Sequence, residues 1–378
     1  MNRLKYIAAA VIMFSTAVSC SFHNEEHDCL LTDMNKTGSM KLEYAEMFTV
    51  DFYENDLSLV TIGENDYYLI IPEKSEIPEN IPDNTVVLTQ PAENIYLAAS
   101  SAMDLFEGIN ALDSVKATST AFNDWSLPAV KEAMEEEKIL YAGKYSSPDY
   151  ELIIDENCSL AIESTMIYHS PEIKEQLENL GIPVMVEKSS YESHPLGRME
   201  WIKLYGLLTG KTKEAEDFFN EKVRQTKDIL ADEKTGKTAA FFYITSDGKV
   251  NIHKPGDYVS KMIELAGGEL IFNAEELNVE DNSLSTMNMQ FEAFYAKAKD
   301  ADFLIYNSAI DGELFSIDQL IQKNSLFSDF TAVQNGNVWC TDKNIFQQTA
   351  DAADMIADMH KIFTGLDDDK TMFIKKLN

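Results

Sequence analysis

Few polar residues in this chain have the types and spacing to do chemistry, and the most unusual group is SYESHPLGRMEW at 190–201. His194 can carry or ligate, and Arg198 is a permanent cation whose planar fork suits a carboxylate, a phosphate or an anionic chelate. On a functional reading both stand at the edge of a binding cleft. The same residues also fit a plain helix start, with Ser193 or His194 as N-cap and Pro195 in the first turn. A second group, GLLTGKT at 206–212, stands one residue short of the phosphate-cradling loop G-x-x-x-x-G-K-[ST]. Trp201, Leu204, Tyr205 and Leu208 before it fall at helical spacing, so its glycines follow a helix where a phosphate loop follows a buried strand. The spacing predicts a helix capped at Gly210 and a new helix from about Thr212. An exported hydrolase is the rival class, but G-x-S-x-G, H-E-x-x-H and paired cysteines are all missing, and among 64 acidic residues no carboxylate pair stands out.

The N-terminus bears on compartment. Arg3 and Lys5 precede a mostly apolar run, Tyr6 to Phe14, that is too short to span a bilayer. STAVSC follows. Small residues before Cys20 resemble the bacterial lipobox, in which residues 1–19 are removed and the cysteine carries lipid; Ala17 stands where leucine is usual, and an ordinary secretory signal is the alternative. Residues 20–39 read as a lipidated flexible tether, its two histidines and Cys29 a solvated spacer because no second cluster offers ligand spacing. No metal site of the protein's own and no cofactor are expected. With Cys20 lipidated, Cys29, Cys158 and Cys340 remain, an odd number that gives no disulfide framework. A net charge of −33 without a basic stripe excludes nucleic acid as a partner.

The body is long enough for two domains. Residues 45 to 71 alternate in short apolar bursts separated by ENDL and GEND, the pattern of a small β-meander. After a proline-punctuated link, strands alternate with amphipathic helices: TVVLT at 85–89, a helix around 94–106, SVKAT, SLAIES and IPVMVE. That order argues for a parallel sheet flanked by helices. Lys213 to Glu233 is an unbroken helical pattern about 30 Å long. Then TAAFFYIT, helices near 258–266 and 291–299, ADFLIYN, NVWCT and a last helix ending near Phe363 repeat the alternation. The expected fold is therefore α/β: two Rossmann-like parallel-sheet lobes joined by one long interlobe helix, with an N-terminal β-meander. The boundaries are 40–190 for the first lobe with the meander, 191–235 for the helix-turn and interlobe helix, and 236–378 for the second lobe.

The lipobox, VVLTQPAENIYLAASSAMDLFEGINALDSV, LENLGIPVMVE, YGLLTGKTKEAEDFF, IELAGGE and DADFLIYN, in this order over about 82–363, resemble the helical-backbone (class III) substrate-binding proteins of ABC importers for iron–siderophores, haem and cobalamin. The resemblance implies a non-enzymatic, monomeric lipoprotein that captures a small-molecule metal chelate or corrinoid and delivers it to an ABC permease and its ATPase subunit. A sensor or surface receptor of the same fold is the alternative function. In a protein of that shape the ligand sits between the lobes at the carboxyl ends of the strands. The expected contacts are Gln90, Phe122, Trp125, Ser164, Thr165, His194, Arg198, Tyr243, Tyr306, Asn307 and Trp339. The resemblance also implies permease docking through one glutamate per lobe, Glu151 in PDYELI and Glu292 in MQFEAF.

Overall fold

The computed structural model describes residue 31 and residues 34–378 except 83, 232–233, 278–284, 344 and 367–369. The expectations for Cys20, Cys29 and residues 1–19 lie outside the described residues. The tether expected over 20–39 ends earlier than its boundary: Leu31 is buried, and Lys36–Ser39 is the first strand.

Strands β1 (Lys36–Ser39), β2 (Phe48–Tyr53), β3 (Ser58–Ile62), β4 (Asp66–Pro72) and β5 (Val86–Gln90) form one sheet in sequence order. The first three pairings are antiparallel, and β5 runs parallel to β4. Period-two alternation gives this sheet two apolar faces. Phe48, Val50, Val60, Ile62, Tyr68 and Ile70 join the main core, while Leu59, Leu69 and Ile71 are covered by Leu31 and Leu57, with Ile81 of the proline-rich link packed alongside.

The first lobe contains β6 (Ile95–Leu97), α1 (Met103–Gly108), β7 (Val115–Thr118), α2 (Pro128–Glu135) and β8 (Leu140–Tyr141). A small hairpin of β9 (Gly143–Lys144) and β10 (Ser147–Pro148) precedes α3 (Tyr150–Asp155), β11 (Leu160–Ser164), α4 (Pro171–Asn179) and β12 (Val184–Glu187). Its sheet has the order β12-β11-β6-β7-β8, parallel throughout. Two expectations are corrected here. TVVLT belongs to the meander sheet, and the first strand of the lobe is IYL at 95–97, inside the stretch expected to be helical. All three residues of β6 are buried, because a central parallel strand is covered on both faces, so it lacks the alternation that distinguishes a strand from a helix.

Helices α5 (Pro195–Glu200) and α6 (Ile202–Thr209) lead into α7 (Thr212–Ala231), the interlobe helix. Every residue of α6 is buried, as an element apolar on all sides requires. The GLLTGKT glycines have structural duties. A Cβ on Gly206 would stand 2.5 Å from Ala215 Cβ, so this glycine lets α6 and α7 meet, and Gly210 is the left-handed cap at φ 71°.

The second lobe follows as β13 (Lys237–Ile244), β14 (Val250–His253), α8 (Tyr258–Leu265), β15 (Gly268–Leu270), α9 (Ala274–Leu277), β16 (Thr286–Met289), α10 (Phe291–Ala298) and β17 (Phe303–Tyr306). It ends with α11 (Ser308–Asp311), α12 (Ile317–Lys323), α13 (Thr331–Gln334), β18 (Val338–Thr341), α14 (Ala352–Thr364) and β19 (Ile374–Lys376). Its sheet runs β16-β14-β13-β17-β18-β19, with β15 beside the first half of β13. β13, β17 and β18 are mutually parallel, and β14, β16 and β19 add antiparallel edges. Helix α14 packs on α7, and Lys222 of α7 pairs with Asp351 (2.9 Å) and Asp354 just before and within it. The main core runs continuously beneath both lobes.

Candidate functional site

The parallel strands of each lobe end toward the other lobe. The turn at Ser100–Ala102, after β6, meets the turn at Ile345–Gln347, after β18. Gln347 is 1% exposed and clasps the lobes: its Oε1 accepts from Ser126 N (2.9 Å) and Ser126 Oγ (2.8 Å), and its Nε2 donates to Asp124 O (2.8 Å). Nearby, buried Asp104 of α1 accepts from Ala350 N at 2.7 Å. Burial holds that carboxyl well above its ordinary range, with the Ala350 amide opposing the shift.

Most aromatic residues expected to touch ligand are core. Trp125 and Trp339 are each 1% exposed and belong to the main core, with Trp125 Nε1 donating to Thr120 O at 3.1 Å. Tyr306 is fully buried, and its hydroxyl donates to Asp311 Oδ2 at 2.7 Å. Tyr306 and Trp339 lie within their strands, which the helices flanking the sheet cover, whereas Trp125 follows the turn at Phe122–Asp124 and packs into the main core. Half-buried Tyr243 is paired opposite Asn251 of β14 and packs on the second-lobe core. Gln90 is corrected as well. It ends the meander sheet, and its side-chain amide donates to Leu207 O of α6 at 2.8 Å. Phe122, Ser164, Thr165 and Asn307 do lie at strand ends, all half-buried. Ser164 and Asn307 cap the short helices that follow their strands, accepting from Met166 N (3.3 Å) and Ala309 N (3.1 Å). Thr165 Oγ1 lies 3.5 Å from Ser190 Oγ, joining the loops after β11 and β12.

The unusual polar stretch serves the meander. Glu200, fully buried, accepts from Glu43 N (2.9 Å), Tyr44 N (2.7 Å) and Ala45 N (2.9 Å), and pairs with Lys203 Nζ at 2.6 Å. Glu192 accepts from Glu46 N (2.9 Å), Met47 N (3.0 Å) and Trp201 Nε1 (2.9 Å). Gly197 makes room, since a Cβ there would stand 2.7 Å from Tyr44 O. His194 is the N-cap of α5, its Nδ1 accepting from Leu196 N at 3.1 Å, and its ring stacks on Tyr44 with centroids 4.6 Å apart. Burial lowers its pKa to about 4, with Lys261 acting in the same direction, so it is neutral at pH 7. The cleft-edge reading of His194 therefore yields to the capping one. Arg198 lies under the crossing of α5, α8 and the turn before α14, with its guanidinium 4.0 Å above the Tyr258 ring. The crevice there, lined also by Met262, Phe346 and Gln348, has about 20 Å³ open to water, room for about one molecule.

What the strand ends do present is a set of exposed apolar side chains. Tyr141 ends β8, Met166 and Tyr168 follow β11, and Tyr191 follows β12. From the other lobe come Ile310 after β17 and Phe346 after β18. Tyr168 is 49% exposed, Phe346 43% and Ile310 71%. A position one to five residues beyond a strand was the signal that could have singled most of them out. Such groups can bury the broad face of a macrocycle or chelate. Among the described residues, no group of three or more His, Cys, Asp or Glu side chains could hold a metal ion. Cys158 and Cys340 are buried free thiols. Glu151 and Glu292 are exposed in the first turns of α3 and α10, where a carboxylate is favoured by the helix dipole.

Among known proteins, residues 95–345 match the periplasmic binding protein family. An uncharacterized lipoprotein of Methanocaldococcus jannaschii is 26% identical over 284 residues, covering 73% of this chain and 66% of that protein, just under two thirds of its length. A periplasmic binding protein from Veillonella parvula superposes with a TM-score of 0.60 at 16% identity, covering 73% of this chain and 93% of its own. The periplasmic haem-binding protein of Vibrio cholerae does so with a TM-score of 0.58 at 16% identity, over 73% and 99%. Among the described residues, no helix is long and apolar enough to cross a membrane.

Proposed function

Because the chain belongs to the periplasmic binding protein family, we propose that it captures a metal-chelate nutrient between its lobes and delivers it to an ABC permease. The observation that carries this reading is the set of exposed apolar side chains at the strand ends of both lobes, Tyr141, Met166, Tyr168 and Tyr191 in the first and Ile310 and Phe346 in the second. The haem ligand of the Vibrio cholerae neighbour supports the chelate class through shared fold. The name of the archaeal relative supports lipid anchoring, which here falls to Cys20. Glu151 and Glu292, one on each lobe, are the contacts offered to the permease, and transport energy comes from a separate ATPase subunit.

Opening and closing are modest in this account. A 20-residue helix with few soft dihedrals links the lobes, and Gln347 holds them together at the base of the cleft. Affinity then rests on a largely preformed surface. The test is the visible absorption of protein purified from its native cells, where haem, corrinoids and ferric siderophores are distinguishable. The expected result is a bound chromophore that is lost when Tyr168→Ala and Phe346→Ala are combined. A chromophore retained by that double variant contradicts the cleft as its site.

A further inference from the structure

Arg198 supplies what the apolar strand-end surfaces lack, a fixed charge, on the premise that the cleft between the lobes is the binding site. Its guanidinium stands 4.0 Å over the Tyr258 ring, and its Nε is buried with no hydrogen-bond partner among the described residues. In the same crevice the buried Oε1 of Gln348 also lacks a partner. Arg224, by contrast, is spent: it forks onto Glu221 at 2.7 and 3.0 Å. Phe346, one of the exposed strand-end side chains, lines the crevice, so the charge lies against the surface proposed to hold ligand. An acid at longer range is Glu187, at the end of β12. Burial pushes that carboxyl up, with Ser189 and Arg198 opposing the shift, and its oxygens are taken up by Ser189 N (2.9 Å) and Ser101 Oγ (3.5 Å).

A buried charged donor without an acceptor is costly, so what enters the crevice must bring one. The space, about 20 Å³, admits one water or one oxygen of a larger group. A water satisfies both unpaired atoms but brings no charge. A carboxylate oxygen makes a charge-assisted bond to Nε, and half a turn of the Gln348 amide presents its NH2 to the anion in place of Oε1. On the first-lobe side, half-buried Lys131 lies 5.7 Å from the Phe122 ring and adds a second, better hydrated cation beside the loop that Gln347 clasps. The net charge of −33 opposes an anion only at range, where physiological salt screens it beyond about 8 Å, whereas a contact inside the crevice is little screened. We infer that Arg198 is a specificity-determining contact: the cleft selects a metal chelate or metallated macrocycle with a peripheral carboxylate, which enters the crevice beside Phe346 and pairs with Arg198 Nε.

The test is a titration of the full mature protein, followed by tyrosine and tryptophan fluorescence, with two pairs of probes that differ only in free carboxylate. One pair is ferric protoporphyrin against its dimethyl ester, and the other a ferric trihydroxamate bearing a terminal carboxylate against its methyl ester. In at least one pair the free acid should bind about 10- to 100-fold more tightly, the scale of a hydrogen bond to a charged group. Arg198→Gln should abolish that preference and leave affinity for the ester unchanged. Gln348→Glu, which keeps the arginine and places a carboxylate in the same crevice, should abolish it too, and it remains readable if loss of Arg198 disturbs folding. Acid and ester that bind equally, and both fall when Tyr168→Ala and Phe346→Ala are combined, overturn the carboxylate contact and leave the cleft reading standing. A preference for the acid that survives Arg198→Gln and Gln348→Glu overturns it as well, and equal loss of acid and ester in those variants reduces Arg198 to packing on Tyr258. Binding that the combined Tyr168→Ala and Phe346→Ala variant does not alter overturns the cleft reading, and the inference falls with it. Failure of all four probes to bind refutes the chelate reading and this inference together.

Discussion

Replacing Glu200 by glutamine should release the N-terminal sheet from the lobe beneath it. The carboxylate is fully buried, receives the Glu43, Tyr44 and Ala45 amides between 2.7 and 3.0 Å, and holds Lys203 Nζ at 2.6 Å. Lys203 in turn donates to Lys41 O at 3.0 Å and lies 4.4 Å from the Phe219 ring centre, so one ion pair fixes both sides of the 41–45 strap. Glutamine keeps the shape but removes the charge, and it turns an amide NH2 toward donors. Breaking one partner of a buried pair costs about 3–5 kcal/mol. At 1.4 kcal/mol per factor of ten, that is an increase in local opening of roughly a hundred- to a few thousandfold. Native-state hydrogen exchange reads it directly: the Tyr44 and Ala45 amides should speed up by this factor, while amides of β13 in the second lobe should not change. If exchange at Tyr44 and Ala45 stays within about threefold of wild type, below roughly 1 kcal/mol, the clamp is not what holds the sheet.

Glu163 is fully buried on β11, neither carboxyl oxygen has a partner among the described residues, and burial raises its pKa to about 8. The unfolded carboxyl ionises first as pH rises from about 4.5, so the native state binds more protons in that window and stability falls until about pH 8. Glu163→Gln should flatten this slope in urea unfolding; an unchanged slope would place the titration elsewhere. His194 should stay neutral down to about pH 4, so its ring resonances should not move between pH 7.5 and 5, and a midpoint near 6.5 would contradict its burial as a cap. Glu151→Ala with Glu292→Ala should abolish uptake and leave ligand affinity intact, whereas removal of exposed Glu135 and Glu136 should do little; normal uptake in the first pair excludes them from docking. Cys20→Ala should move the protein from membrane to soluble fractions, and a variant that still pellets with membranes refutes the lipid anchor.

Long-period patterns carried the architecture. The interlobe helix, β13, β17, β18 and α14 all lie where their apolar periodicity places them, and the Gly210 cap falls at the residue expected. Failures had physical causes. β6 is buried on both faces and reads like a helix, and β5 is a parallel strand of a sheet whose other pairings are antiparallel. Trp125, Tyr306 and Trp339 sit close enough to strand ends to suggest a site, yet all three are buried, whereas Tyr168 and Phe346 project just beyond. Glu192 and Glu200 do not stand out among the acids of the sequence, because most of their partners are backbone amides 145 to 157 residues away, which carry no side-chain signature.

The account rests on one ligand held between two lobes at their strand ends, and hydrogen exchange with and without a bound chelate tests that most directly. Protection is expected in two separated groups of segments at once: 119–127, 165–170 and 188–191 in the first lobe, and 308–312 and 345–348 in the second. Protection confined to one lobe, or to the meander, would contradict a shared interlobe site.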